Sequence, residues 1–152
     1  QSSRLILGTP AYIAPEAVNE PETVGPPSDI YALGAVGYFL LTAKPLFEGA
    51  SSVEVCIAHV TETPVPLSQA CTRPIPAQLE RTIMHCLEKT PGRRPDAKAF
   101  AAELRAIAAT ESWSEQDALD WWKRFREREQ RASEVAHEPT ITMTIDLGGR
   151  EV

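Results

Sequence analysis

Twelve consecutive residues from Ile30 to Leu41, IYALGAVGYFLL, contain no charge and nothing more polar than two tyrosines. The run is too short to span a bilayer as a helix, which takes about twenty residues, and too evenly apolar to lie on a surface. It predicts a buried central helix. Ser28 is placed to cap it, Asp29 lies at the positive end of its dipole, and LTAKPLFEG ends it, because Pro45 cannot continue the hydrogen-bond ladder and Gly49 favours a turn. A helix apolar on nearly all sides must be surrounded by protein, so the rest of the chain has to supply its cover.

The flanking periodicity supplies it. Ser51 and Glu54 form an S-x-x-E capping pattern ahead of a short helix with Val53, Cys56, Ile57 and Val60 on one face. From Thr61 to Pro76 the prolines at 64, 66, 74 and 76 predict an extended surface connection. Helix resumes over Gln78–Lys89, with Leu79, Ile83, Cys86 and Leu87 inward, and Pro91 with Gly92 closes it. Asp96 can cap a last alanine-rich helix whose Ala97, Phe100, Leu104 and Ile107 form a buried stripe. The expectation is a body of helix and loop over residues 1–109.

Two further segments follow. Residues 110–131 predict an amphipathic tail helix, started by Ser114 and Asp117 as a capping box and carrying Ala118, Trp122 and Phe125 on one face. Its KRFREREQR end mixes both charge signs, the pattern of a solvated face. Residues 132–152 are polar, with a possible strand at 140–147, where Ile141, Met143, Ile145 and Leu147 alternate with polar residues. A lone strand needs a pairing partner.

Charge and cysteines narrow the function classes. Residues 1–110 carry nine Lys or Arg against eleven Asp or Glu, and residues 111–152 carry six against ten, so neither part has the basic excess of a nucleic-acid binder. Cys56, Cys71 and Cys86 are odd in number and lack CxxC spacing, which argues for structural thiols in a reducing, cytoplasmic setting and for no metal site.

Three strings carry a family resemblance: GTPAYIAPE at residues 8–16, SDIYALG from residue 28, and RRPDAKAF from residue 93. In this order they resemble the end of the activation segment, the central helix and the closing arginine of a protein kinase's larger lobe. SDIYALG and LTAKPLFEG are most similar in wording to bacterial serine/threonine kinases of the eukaryotic type. Ala43, where glycine is frequent, and Leu46 depart from the family's usual wording at positions remote from catalysis.

The resemblance implies a mainly α structure, the helical part of the C-terminal lobe of a parent domain that is α+β. It implies a serine/threonine protein kinase that uses ATP and magnesium on protein substrates; the alternative is a pseudokinase or interaction module. The family's glycine-rich loop, strand lysine, HRD loop and DFG motif precede its APE string and are not in this chain. No catalytic, nucleotide-binding or metal-binding residue is therefore expected here, and the stretch by itself should bind no ATP and be inactive.

By the same resemblance, Gly8, Thr9 and Tyr12 belong to the loop that holds the peptide substrate, with the Thr9 hydroxyl aimed at the catalytic loop. Glu16 looks like the family's buried carboxylate and Arg94 like its partner, a structural ion pair. Asp29 matches the residue that anchors the catalytic loop through backbone N–H groups. Ser2 and Ser3 lie where activation-segment phosphorylation often occurs. The tail helix over residues 114–131 is expected to pack on the kinase lobe or on a partner.

Overall fold

Prolines set most of the helix starts in this protein, whose computed structural model describes residues 9–110 and 113–136. A proline lacks only an N–H that a helix's first turn leaves unpaired in any case. Thus Pro10 opens a 3-10 turn (Pro10–Tyr12) and Pro15 opens helix α1 (Pro15–Asn19). Pro26 and Pro27 start α2 (Pro26–Thr42), with Gly25 as its cap. This corrects the expectation that Ser28 caps the helix. Ser28 lies within the first turn, where its Oγ accepts from the Gly25 N–H at 3.3 Å and donates to Glu16 Oε1 at 2.7 Å.

Side-chain caps start some of the later helices, and prolines precede the others. In α3 (Ser52–Thr61) the Glu54 N–H donates to Ser51 Oγ at 3.2 Å, while the Glu54 carboxylate accepts from the Ala50 N–H. A short α4 (Leu67–Ala70) precedes α5 (Ala77–Cys86), and Asp96 Oδ1 caps α6 (Ala97–Ala108) by accepting from the Ala99 N–H at 2.7 Å. Among the described residues there is no strand, as the mainly α expectation requires. The possible strand at 140–147 lies outside the described residues.

The chain divides into two compact units, residues 1–111 and 112–152. In the first, α2 is the axis, packed against α4, α5 and the Pro10–Tyr12 turn. Tyr31, Ala35 and Tyr38 of α2 join Phe47, Leu67, Ile83, Cys86 and Phe100 in one buried cluster. Its closest approach is at Gly34, where an added Cβ would lie 2.7 Å from the Cys86 Cβ, nearer than two carbons can pack. The cover is one-sided: Leu33, Val36 and Phe39 remain exposed among the described residues, and Leu40 is 75% exposed. The Cys86 thiol is pushed up to about 12 by burial, so it stays protonated.

Four further expectations need correction. On α3, Val53 and Ile57 face solvent while Cys56, Ala58 and His59 point inward, so the buried face is rotated from the one the aliphatic residues suggest. The proline-rich connection contains α4, whose Leu67 is fully buried and whose Ser68 N–H and Oγ both donate to Glu80 Oε1. Helix α5 stops at Cys86, three residues short of Lys89, and the chain turns there, with the Leu87 N–H donating to the Met84 carbonyl at 3.1 Å. Ala97 is exposed, leaving Phe100 and Ile107 as the buried positions of α6.

Helix α2 ends at Ala43, in the left-handed region at φ 56 and ψ 21. A Cβ costs about 1–2 kcal/mol in that conformation and glycine avoids the cost, though glycine gives back part of the gain by loosening the unfolded chain. Ala43→Gly is expected to stabilise the full-length protein by about 0.5–1 kcal/mol, read as a higher urea midpoint with unchanged slope. A lower midpoint contradicts this reading of the cap.

The second unit contains α7 (Glu115–Ala136), which runs five residues past the expected end at Arg131. Ser114 Oγ accepts from the Asp117 N–H at 3.1 Å, and the Asp117 carboxylate accepts from the Ser114 N–H at 2.8 Å. Trp121 stacks on Phe125 at 5.3 Å, with Trp122 edge-on to both. No helix among the described residues is long and apolar enough to cross a membrane.

Candidate functional site

Arg94 has five N–H donors, and in this protein all five are used. Nη1 donates to Glu16 Oε1 at 2.7 Å and to the Pro27 carbonyl at 2.8 Å. Nη2 donates to Glu16 Oε2 at 2.8 Å and to the Lys89 carbonyl at 3.1 Å, and Nε donates to the Glu88 carbonyl at 2.7 Å. The 3-10 turn at Pro91–Arg93 delivers the side chain, and its backbone continues extended into Pro95. Arg94 thereby joins three stretches: α1, the start of α2 and the loop that follows α5.

The carboxylate is equally occupied. Burial by itself would raise the Glu16 carboxyl, but the bonds from Arg94 and Ser28 outweigh burial and hold it below the usual carboxylate range. Both side chains are withdrawn from solvent, 0% exposed for Arg94 and 6% for Glu16. A fork-to-fork contact of this kind is strong only when the remaining donors and lone pairs are also met. Here they are met by three carbonyls and a hydroxyl.

A second cluster lies beside the first. The Arg94 guanidinium sits 4.9 Å over the Tyr31 ring, and the Tyr31 hydroxyl lies 2.9 Å from His59 Nδ1. Phe47 meets the His59 ring edge-on at 5.0 Å, and Lys89 Nζ donates to the His59 carbonyl at 2.6 Å while lying 4.7 Å from the Phe47 centroid. Burial chiefly, with Arg94 adding repulsion, pulls the Lys89 amine down to about 8. Burial and the Lys89 charge push His59 down to about 4, against a backbone hydrogen bond with Ala11 that acts in the opposite sense, so the imidazole is neutral at pH 7.

Over these two clusters lies the segment Thr9–Ile13. The Tyr12 N–H donates to the Thr9 carbonyl at 3.1 Å and the Ile13 N–H to the Pro10 carbonyl at 3.3 Å, which fixes the turn. Tyr12 packs on the core, the turn rests on α2 and α3, and the Thr9 side chain is left facing solvent. Thr9, Pro10 and Ala11 form one wall of an open cleft of about 710 Å³ whose other wall includes Phe47, Gly49 and Ser51. Pro45, Glu48 and Val55 also line the cleft, and Thr9 stands at its margin.

Of the residues singled out from sequence, the structure brings Thr9, Tyr12, Glu16 and Arg94 into one region. Asp29 is exposed in the first turn of α2 and makes no side-chain hydrogen bond among the described residues. Gly8, Ser2 and Ser3 lie outside the described residues. Sequence reasoning missed Tyr31, His59, Lys89 and the hydroxyl of Ser28. The available signal was a single histidine inside an otherwise aliphatic stretch, VCIAHV, which a search for apolar faces passes over.

A family model described as protein kinase domain matches residues 1–104. The chain is similar to the serine/threonine-protein kinase PknB of Mycolicibacterium smegmatis, with 41% identity over 66% of this chain and 15% of that protein. It is 38% identical to the serine/threonine-protein kinase PknA of Corynebacterium glutamicum, over 68% of this chain and 21% of the relative. It is 39% identical to the DNA damage-responsive serine/threonine-protein kinase RqkA of Deinococcus radiodurans, over 74% and 16% respectively. The chain spans about a fifth or less of the length of these relatives.

Proposed function

This chain belongs to the protein kinase family, and on that premise we propose that it forms the peptide-presenting and structural part of a serine/threonine kinase that transfers the ATP γ-phosphoryl group to protein hydroxyls. One observation carries the reading. Thr9, Pro10 and Ala11 line an open cleft of about 710 Å³, and the segment runs directly into α1, which is tied to the end of the domain through Glu16 and Arg94. Phosphoryl transfer depends heavily on positioning, so a rigidly based loop is what such a site needs from these residues.

ATP and magnesium belong to the parent enzyme in this reading. Among the described residues no three His, Cys, Asp or Glu side chains gather in one place. No step of the transfer is assigned to the residues described here. Their part is to seat the peptide, to present the Thr9 hydroxyl toward the catalytic loop, and to hold that loop by way of Asp29. The exposed apolar stripe of α2 supports the idea that other segments of the parent domain cover it. A cytoplasmic setting fits the three free thiols.

The tail helix has a narrower reading. Trp121, Trp122 and Phe125 form one aromatic face, which suits packing on a protein surface, that of the lobe or of a partner.

The test uses the full-length protein with magnesium, ATP and a threonine-containing peptide. Thr9→Ala is expected to lower kcat/KM by about 10²-fold, the size of a small misplacement of reacting groups, with Thr9→Ser keeping most of the rate. Equal rates for wild type and Thr9→Ala remove Thr9 from the site. A folded full-length protein that transfers no phosphate makes the chain part of an interaction module instead.

A further inference from the structure

Helix α7 carries its charges in two blocks with an aromatic cluster between them. Glu115, Asp117 and Asp120 precede Trp121 with no basic residue among them, whereas residues 123–131 hold five Lys or Arg against two Glu, a net of +3. Trp121, Trp122 and Phe125 lie at the junction, with Trp121 40% and Trp122 52% exposed. Acids at the start and bases at the end also suit a lone helix, but the helix dipole acts only within the first and last turns. Asp120, Arg124 and Arg128 lie outside those turns.

The charges are not consumed within the helix. Among the described residues, the one ion pair of α7 joins Arg131 to Glu127 at 3.9 Å, with both side chains exposed. Trp121, Arg124, Glu127, Arg128 and Arg131 border an open groove of about 410 Å³ along the helix. A helix this polar depends on outside packing or on dense internal pairing, and the internal pairs are sparse. Asp117, Trp121, Arg124 and Arg128 follow one another at intervals of four, three and four, so they share one stripe. The spacing reads the same in both directions while the charge changes sign along it.

We propose that α7 is a self-association surface whose occupant is the α7 of a second copy of this chain, laid antiparallel. A two-fold axis between Trp122 and Lys123 sets Asp117 of one copy level with Arg128 of the other, and Trp121 level with Arg124, a cation over an aromatic ring. The acidic block of each copy then meets the basic block of the other. A parallel pair would instead set like charges side by side. At 1.5 Å per residue α7 is about 33 Å long, so the overlap takes in both blocks and the aromatic cluster. An acidic partner of another kind would answer the basic block and leave Glu115, Asp117 and Asp120 unmatched; a second copy answers both. The pairing depends on α7 alone and not on phosphoryl transfer.

Sedimentation equilibrium of the full-length protein tests the pairing. The wild type is expected to dimerise reversibly with a Kd on the order of 10 µM, at the weak end for specific interfaces. Asp117→Lys with Asp120→Lys makes both blocks net basic, and Arg124→Glu with Arg128→Glu makes both net acidic. Each variant alone is expected to lose about tenfold or more in self-affinity, whereas an equimolar mixture of the two regains a dimer of at least wild-type strength. Circular dichroism checks that helix content is kept, and the single substitutions Asp117→Lys and Arg128→Glu replace the pairs if it is not. A monomer at every concentration up to about 100 µM overturns the proposal and leaves α7 to pack within its own chain or on a different protein. A dimer indifferent to both sets of substitutions overturns it as well, because its interface then lies elsewhere. A mixture of folded variants that stays monomeric does the same, since opposite charge would not be what joins the helices.

Discussion

Arg94→Ala is expected to destabilise the full-length protein by about 3–5 kcal/mol, the loss measured when one partner of a buried, hydrogen-bonded ion pair is removed. The size follows from what the substitution strands. Glu16 would keep its buried position with one remaining side-chain donor, Ser28, and three carbonyls, of Pro27, Glu88 and Lys89, would lose their shared donor. Arg94→Lys should lose nearly as much, because an ammonium cannot serve a two-oxygen fork and three carbonyls in one plane. Equilibrium urea denaturation measures both, and a loss below about 1 kcal/mol would class the pair with exposed ion pairs.

The pair also sets a pH dependence. The folded-state pKa of Glu16 lies below its unfolded value, so the unfolded chain takes up the proton first on acidification. The stability it contributes is present above the ordinary carboxylate pKa and is lost as pH falls through the lower, folded value. His59 acts in the same direction for a different reason. Its folded pKa is pushed from 6.5 to about 4, so between those values the unfolded chain is protonated while the folded chain stays neutral, and stability falls as pH is lowered. Arg94→Ala should abolish the Glu16 part and leave the His59 part in place.

How far the sequence discloses such a site depends on the range of the interaction. Caps act over three residues, so Ser51, Asp96 and Ser114 were readable as helix starts, and the apolar run at Ile30–Leu41 identified the axis of the fold, though not that one side of it stays exposed among the described residues. Two adjacent prolines overrode the Ser28 cap, since a helix can begin wherever missing N–H groups are harmless. The Glu16–Arg94 contact spans 78 residues, and no local pattern encodes it. It was legible only because the strings around both residues resemble a known family.

The missed residues share a cause. On α3, aliphatic side chains pointed to a face containing Val53 and Ile57, whereas the buried face holds His59, with its bond to Tyr31, 28 positions earlier in the chain. Periodicity reports which residues are apolar, not which polar residue will find a buried partner. Leu67 was passed over in the same way: four prolines around it signalled a surface connection, and its burial depends on contacts with α2 and α5.

Tyr31→Ala is expected to cost about 3–5 kcal/mol, as for other large buried aromatics. Tyr31 has no exposed surface, and its ring separates the Arg94 guanidinium from His59. Its phenol is raised well above its ordinary pKa by burial, so the hydroxyl remains a neutral donor throughout the accessible pH range. Tyr31→Phe keeps the ring under Arg94 and removes only the hydroxyl, leaving His59 Nδ1 unpaired, for an expected loss of about 1–3 kcal/mol. The difference between the two variants assigns the remainder to packing and to the contact with Arg94. Because Tyr31 and Arg94 touch, the double variant Tyr31→Ala, Arg94→Ala should lose less than the two single losses combined, with a coupling of about 0.5–3 kcal/mol. Strict additivity in urea denaturation would mean that the two clusters are energetically separate, and the loop would then be based on the ion pair alone.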